Sequence, residues 1–268
     1  MNRIESIFSS SRESGRKLLM PFVCGGSPSL DDMRETLPAL AEAGASIIEV
    51  GIPFSDPIAD GPVIAEAMHK ALEAGVTPKA VIDAVASVRS SLSAGVVAMT
   101  SVSIVERVGR DRFVGMLADA GFDGVIFPDA PLEEAGPLAH AATGRGLTAS
   151  LLVAPTTPIE RARQICDECT GFVYVLARAG ITGEGGGGPT VAIRERIEAL
   201  RSVTHLPLAV GFGISSPEHV RTVVSPEAGD ADAAIVGTAL VRRMTDAGSG
   251  KAAQAAGEFC RELASGLT

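Results

Sequence analysis

The sequence predicts an α/β fold built as one (β/α)8 barrel, with a short N-terminal helix and extra helices. Three observations carry this expectation. Eight short apolar runs alternate with longer segments at helical spacing, and the alternation continues from Leu18 to the C-terminus without a linker or low-complexity break. The 268 residues also match the roughly 250 that such a barrel needs, so one domain over 1–268 is expected. The runs are apolar almost throughout, as parallel strands buried on both faces require.

In chain order, Ile4, Ile7 and Phe8 make a short apolar helical face placed to cover the bottom of the barrel. The predicted strands are Leu18 to Val23, Ser46 to Val50, Gly95 to Thr100, Gly124 to Phe127, Thr148 to Val153, Phe172 to Leu176, Pro207 to Val210 and Ala231 to Val236. Helical patterns between them include Asp31 to Ala43, Pro78 to Leu92, Leu132 to Thr143, Pro158 to Cys169 and Pro217 to Val224, and Lys251 to Leu263 closes the chain. Ser29 and Ser216 are placed to cap helix starts. Ala43-Gly44, Ala74-Gly75 and Ala120-Gly121 supply left-handed residues at helix ends. Pro38, inside a helical pattern, predicts a kink or a split there.

Composition narrows the function. A net charge of -9 and a pI near 5.0 set the overall field against phosphate backbones and anionic lipid, which excludes nucleic acid as a partner. No apolar run is long enough to span a bilayer, and Met1 to Glu5 lacks a signal-peptide core, so no membrane association and a cytoplasmic location are expected. Four cysteines are too sparse for a disulfide scaffold. Cys166 and Cys169 have no second pair at zinc spacing and read as helix residues. His69, His140, His205 and His219 form no ligand pair and read as surface positions, so no metal site is expected.

In this fold the chemistry lies where apolar strands stop. Glu49, Asp129 and Tyr174 are the polar residues there. A carboxyl held in an apolar strand has its pKa raised toward the range useful for moving protons, which makes Glu49 the best candidate general acid-base, with a structural ion pair as the alternative. The loop Gly51 to Pro62 that follows is long enough to bring a second carboxylate, Asp60 or Asp56, opposite Glu49; Asp-Pro and Asp-Gly are also common turn pairs. Gly211 to Pro217 and Gly237-Thr238-Ala239 place glycines at two helix starts after strands seven and eight, an arrangement suited to phosphate. The glycine-rich run Arg178 to Pro189 reads as a mobile lid.

At Glu49, Pro53-Phe54-Ser55-Asp56-Pro57 and Ala59-Asp60-Gly61-Pro62 the chain resembles the tryptophan synthase α-subunit family, a TIM-barrel family. The likeness runs nearly end to end, through Met20 to Val23, Pro128 to Glu134, Ala154 to Pro158, Gly180 to Gly183, Gly211 to Ser215 and Val236-Gly237. The resemblance implies cleavage of indole-3-glycerol phosphate to indole and glyceraldehyde 3-phosphate, a lyase reaction late in L-tryptophan biosynthesis that uses no cofactor or metal in this chain. It implies Glu49 and Asp60 as catalytic residues. Phe22, Tyr174, Thr182, Gly183, Phe212, Gly213, Gly237 and Thr238 would bind substrate, and Pro53 and Asp56 would meet a partner. That partner is a β subunit carrying pyridoxal phosphate, in an α2β2 tetramer. The chain departs from the family pattern at Ser27, where an acid is usual, and along Thr100 to Val105. A free-standing indole-releasing lyase and a catalytically silent activator of a β-type subunit are the alternatives.

Overall fold

A computed structural model of the chain describes residues 2–57, 60–176, 189–211 and 213–267, with side chains in the first of these helices after the gap described from residue 193. Eight parallel strands, β1 (Leu18–Cys24), β2 (Ile47–Gly51), β3 (Gly95–Met99), β4 (Gly124–Phe127), β5 (Thr148–Val153), β6 (Val173–Leu176), β7 (Leu208–Gly211) and β8 (Ala233–Val236), close into a barrel in sequence order. The expected strands are all present, shifted by a residue or two at their ends.

The helices are α1 (Arg3–Glu13), α2 (Leu30–Glu42), α3 (Pro62–Glu73), α4 (Pro78–Val88), α5 (Val102–Val108), α6 (Arg110–Asp119), α7 (Leu132–Thr143), α8 (Ile159–Glu168), α9 (Pro189–Arg201), α10 (Pro217–Val224), α11 (Thr238–Ala247) and α12 (Ala252–Ala264). Ser29 and Ser216 accept the backbone N–H groups of Asp32 and His219, and Gly44, Gly75 and Gly121 all have positive φ at helix ends. Pro38 corrects an expectation: α2 is not split there and runs on as one helix. Its lost N–H is one hydrogen bond, whereas Met33, Leu37 and Leu40 on the same helix are wholly buried, and burial of each is worth about 1.5–3 kcal/mol.

Two apolar layers result from strand alternation. On β1, Leu19 and Val23 pack outward against the helices, while Leu18, Met20, Phe22 and Cys24 fill the barrel. Ile4 and Phe8 of α1 belong to that interior cluster, and the Phe8 ring lies 5.7 Å from that of Phe172. The predicted cover at the bottom is therefore in place. At the same end Asp232, just before β8, accepts hydrogen bonds from Arg12 Nε (3.0 Å), the Leu208 amide (2.7 Å) and Arg201, joining α1, β7 and α9. The four histidines are exposed, as the sequence predicts; the four cysteines are free and buried, and of the two read as helix residues Cys166 lies in α8 while Cys169 follows its end. No helix among the described residues is long and apolar enough to cross a membrane.

Candidate active site

At the C-terminal ends of the strands, β2 places Glu49 in register with Phe22 of β1 and Val97 of β3. Its neighbours Ile48 and Val50 are wholly buried, and the strand leaves the carboxyl no water. Glu49 is itself fully buried, and among the described residues neither of its oxygens has a hydrogen-bond partner. Burial, then the nearby charge of Asp60, hold this carboxyl well above the usual carboxylate range. Asp60 is more open and its own pKa is pushed up only to about 6, by burial. The two environments separate the pair, and Glu49, wholly enclosed, is the harder of the two to ionise.

Above them lies a cleft of about 620 Å3, counting its open mouth. Its walls include Phe22, Met99, Leu152, Tyr174 and Ile235, with Asp60 at the β2 side and Gly213, Gly237 and Thr238 on the β7–β8 side. This is an apolar slot with one carboxylate partway along it and backbone amides across the barrel. α11 starts at Thr238 with Gly237 as a cap residue that makes no side-chain hydrogen bond, so its first amides are open to an anion. The start of α10, by contrast, is satisfied by its own Ser216.

Two glycines make room for the aromatic walls. A Cβ on Gly51 would lie 2.5 Å from the tip of the Phe22 ring, and one on Gly211 would lie 2.6 Å from the Tyr174 hydroxyl. Gly211→Ala should therefore push the Tyr174 ring into the cleft. The expected outcome is a fall of roughly 100-fold in kcat/KM for the chain's substrate with an intact fold, read from steady-state kinetics beside a thermal melt. Burial, followed by the charges of Glu49 and Asp60, raises the Tyr174 phenol as well, keeping it a neutral wall.

The other sequence candidates fall in different places. Asp129, a carboxylate at a strand end like Glu49, accepts from the Ser101 hydroxyl (2.6 Å) and the Val102 amide (2.9 Å) and anchors the start of α5. Asp56 is exposed, while Pro53 is buried in the chain beneath it. Thr182, Gly183 and Phe212 lie outside the described residues, as does all of the predicted lid Arg178 to Pro189 except its last residue. Residues the sequence did not single out, Met99, Leu152 and Ile235, line the cleft; their signal was the two-residue period of the strands. Among the described residues no group of three or more His, Cys, Asp or Glu is placed to hold a metal ion.

Comparison with known proteins gives one consistent result. The sequence model of the family described as tryptophan synthase alpha chain matches residues 8–267. The chain is 44% identical over 264 residues to the tryptophan synthase alpha chain of Prochlorococcus marinus (strain MIT 9313), covering 97% of this chain and 93% of that one. It is 45% identical over 256 residues to that of Synechococcus sp. (strain CC9902), covering 96% and 94%. Among solved structures it is similar to an aminoacrylate-bound tryptophan synthase from M. tuberculosis, with a TM-score of 0.87, 31% identity and full coverage of both chains. A tryptophan synthase subunit alpha from Legionella pneumophila str. Paris gives a TM-score of 0.89 at 30% identity, covering 100% and 98%.

Proposed function

The chain belongs to the tryptophan synthase alpha chain family, whose reaction is the retro-aldol cleavage of indole-3-glycerol phosphate to indole and glyceraldehyde 3-phosphate, and we propose that Glu49 moves its protons while Asp60 stabilises the charge on the ring. The observation that carries this reading is the fully buried, unpartnered carboxyl of Glu49 beside the half-open Asp60. Protonated Glu49 gives its proton to C3 of the indole, and Asp60 stabilises the positive charge that appears at the ring N–H. Glu49, now a carboxylate, takes the proton of the hydroxyl next to the ring. The bond between C3 and that carbon breaks, its electron pair restores the aromatic ring, and the oxygen becomes the aldehyde. The ring has gained one proton, the glycerol side chain of the substrate has lost one and Glu49 ends as it began, so no oxidant, metal or cofactor is needed.

Glu49 lies beneath the residues that line the cleft, so its side chain rotates upward to reach the substrate. Phe22 and Tyr174 hold the indole, and Gly213, Gly237 and Thr238 offer amides to the phosphate. On this reading the chain is a carbon-carbon lyase acting in the cytoplasm. It passes indole to a β subunit in an α2β2 assembly, and only that partner carries pyridoxal phosphate. The test is glyceraldehyde 3-phosphate release from indole-3-glycerol phosphate with and without the β subunit. Slow release that rises sharply with β is expected, whereas fast release indifferent to β would favour the free-standing lyase.

The pH dependence follows from Asp60. Below about 6 its carboxyl is protonated and no longer stabilises the ring cation. We expect kcat/KM to fall about tenfold per pH unit below that point, and Asp60→Asn to lose roughly 100-fold and flatten this acid limb. A pH profile of both proteins checks it. Stability runs the other way: the folded protein holds this proton more tightly than the unfolded chain, so Asp60 makes the fold less stable as pH rises from 3.8 to about 6.

A further inference from the structure

A second chamber opens off the cleft on the side away from the phosphate-facing amides. It shares Asp60, Met99 and Pro128 with the cleft and continues past them along Met68, Thr100 and Ser101. These residues come from the ends of β3 and β4, from α3 and, for Asp60, from the loop before α3, whereas Gly213, Gly237 and Thr238 follow β7 and β8, across an eight-stranded ring. Among the described residues, none of the three lines the chamber. Its volume is about 360 Å3, part of it open to solvent. The Asp129 carboxylate at its edge is engaged by Ser101 and Val102, while Asp56 and Asp60 line the side toward β2, with Met68, Met99, Thr100 and Pro128 among the remainder.

A substrate with its phosphate at the β7–β8 end and its ring N–H on Asp60 must direct the far edge of its ring toward β3 and β4. Asp60 stands at the mouth of the chamber, so the ring carbons nearest that mouth are those next to the nitrogen on the benzo ring. We infer that the chamber is a specificity pocket admitting indole-3-glycerol phosphates with a small apolar substituent at position 6 or 7 of the indole, while substituents at position 4 are refused. This rests on the reading of the site given above. Thr100 and Met68 set the depth of the chamber: both are buried and line it without lining the cleft.

The experiment measures glyceraldehyde 3-phosphate, a product common to all these substrates, from the full chain with saturating β subunit. The substrates are unsubstituted, 4-methyl-, 6-methyl- and 7-methyl-indole-3-glycerol phosphate. The 6- or 7-methyl compound is expected to keep kcat/KM within about tenfold of the unsubstituted one, and the 4-methyl compound to fall at least 100-fold. Thr100→Leu, which fills the chamber, should lower kcat/KM for the tolerated methyl substrate by roughly 10–200-fold, the range one extra methylene group commands in an apolar pocket, and leave the unsubstituted substrate unchanged. Thr100→Ala should keep or widen the tolerance. Met68→Phe fills the same space from α3 and replaces Thr100→Leu if that variant does not fold. Normal cleavage of the unsubstituted substrate with all three methyl compounds equally poor would overturn the inference and leave the family reaction intact. No cleavage of any of the four would overturn the functional reading and the inference with it. Equal loss on methylated and unsubstituted substrates in the filling variants would also overturn it, because the chamber would then serve the common cleft.

Discussion

Glu49→Gln should lower indole-3-glycerol phosphate cleavage by about 10³–10⁴-fold and at the same time make the protein more stable. On the proposed mechanism, the rate loss follows from removing the group that gives and takes the proton, at the upper end of what general acid-base catalysis contributes. The stability gain follows from burial. In the folded protein the Glu49 carboxyl is wholly enclosed, and neither oxygen has a hydrogen-bond partner among the described residues. It therefore stays protonated well above 4.5, where the unfolded chain would ionise it. Each pH unit above 4.5 withdraws about 1.4 kcal/mol from the folded state until the raised pKa is reached. Glutamine does not titrate and escapes this penalty. The two proteins should have the same melting temperature near pH 4 and separate as pH rises. Thermal melts across pH 4–8, beside activity, check both halves. A variant with full activity, or a stability difference that does not depend on pH, would contradict the assignment. Such a trade, in which the residue that performs the reaction weakens the fold, is common at active sites.

The second large effect is structural and lies at the other end of the barrel. Asp232→Ala should destabilise the chain by about 3–5 kcal/mol, because it leaves Arg12, Arg201 and the Leu208 amide without their common acceptor. For a chain of this size that is a drop of about 10 °C in Tm. Burial alone would raise the Asp232 carboxyl, but hydrogen bonds from Arg12, Leu208 and Arg201 outweigh it and hold the pKa below 3.8. Its contribution is therefore present above pH 3.8 and lost as pH falls through the depressed value, so mutant and wild type should converge in strong acid. Turnover per folded molecule should not change, since Asp232 precedes β8 whereas the cleft follows it. Differential scanning calorimetry with active-site titration separates the two effects.

The fold was legible because its signal is periodic and local. Eight apolar runs, serine caps at Ser29 and Ser216 and glycine stops at Gly44, Gly75 and Gly121 each act within a few residues. The site was legible only where chemistry is intrinsic to one position. Glu49 and Asp129 give the same signal, a carboxylate at the end of an apolar strand, yet among the described residues one has no hydrogen-bond partner and the other is tied to the start of α5. What divides them is Ser101, brought from the neighbouring strand end, and no local pattern shows that. Gly51 reads as a turn glycine and Gly211 as part of a run suited to phosphate. Their function is the space they leave for rings on adjacent strands, which depends on the register Phe22↔Glu49 and Tyr174↔Ala209. Pro38 shows the opposite limit, a strong local signal for breaking a helix set aside by tertiary burial.

Closure of the barrel also sets a timetable for the chain on the ribosome. Leu18 to Pro21 pair with Ala233 to Val236, so one edge of the first strand waits for a partner made roughly 200 residues later, about 10–40 s of synthesis. Through that interval an apolar strand edge is available to other chains. Crowding of nascent chains therefore bears on this edge in particular, and slower translation lengthens the exposure.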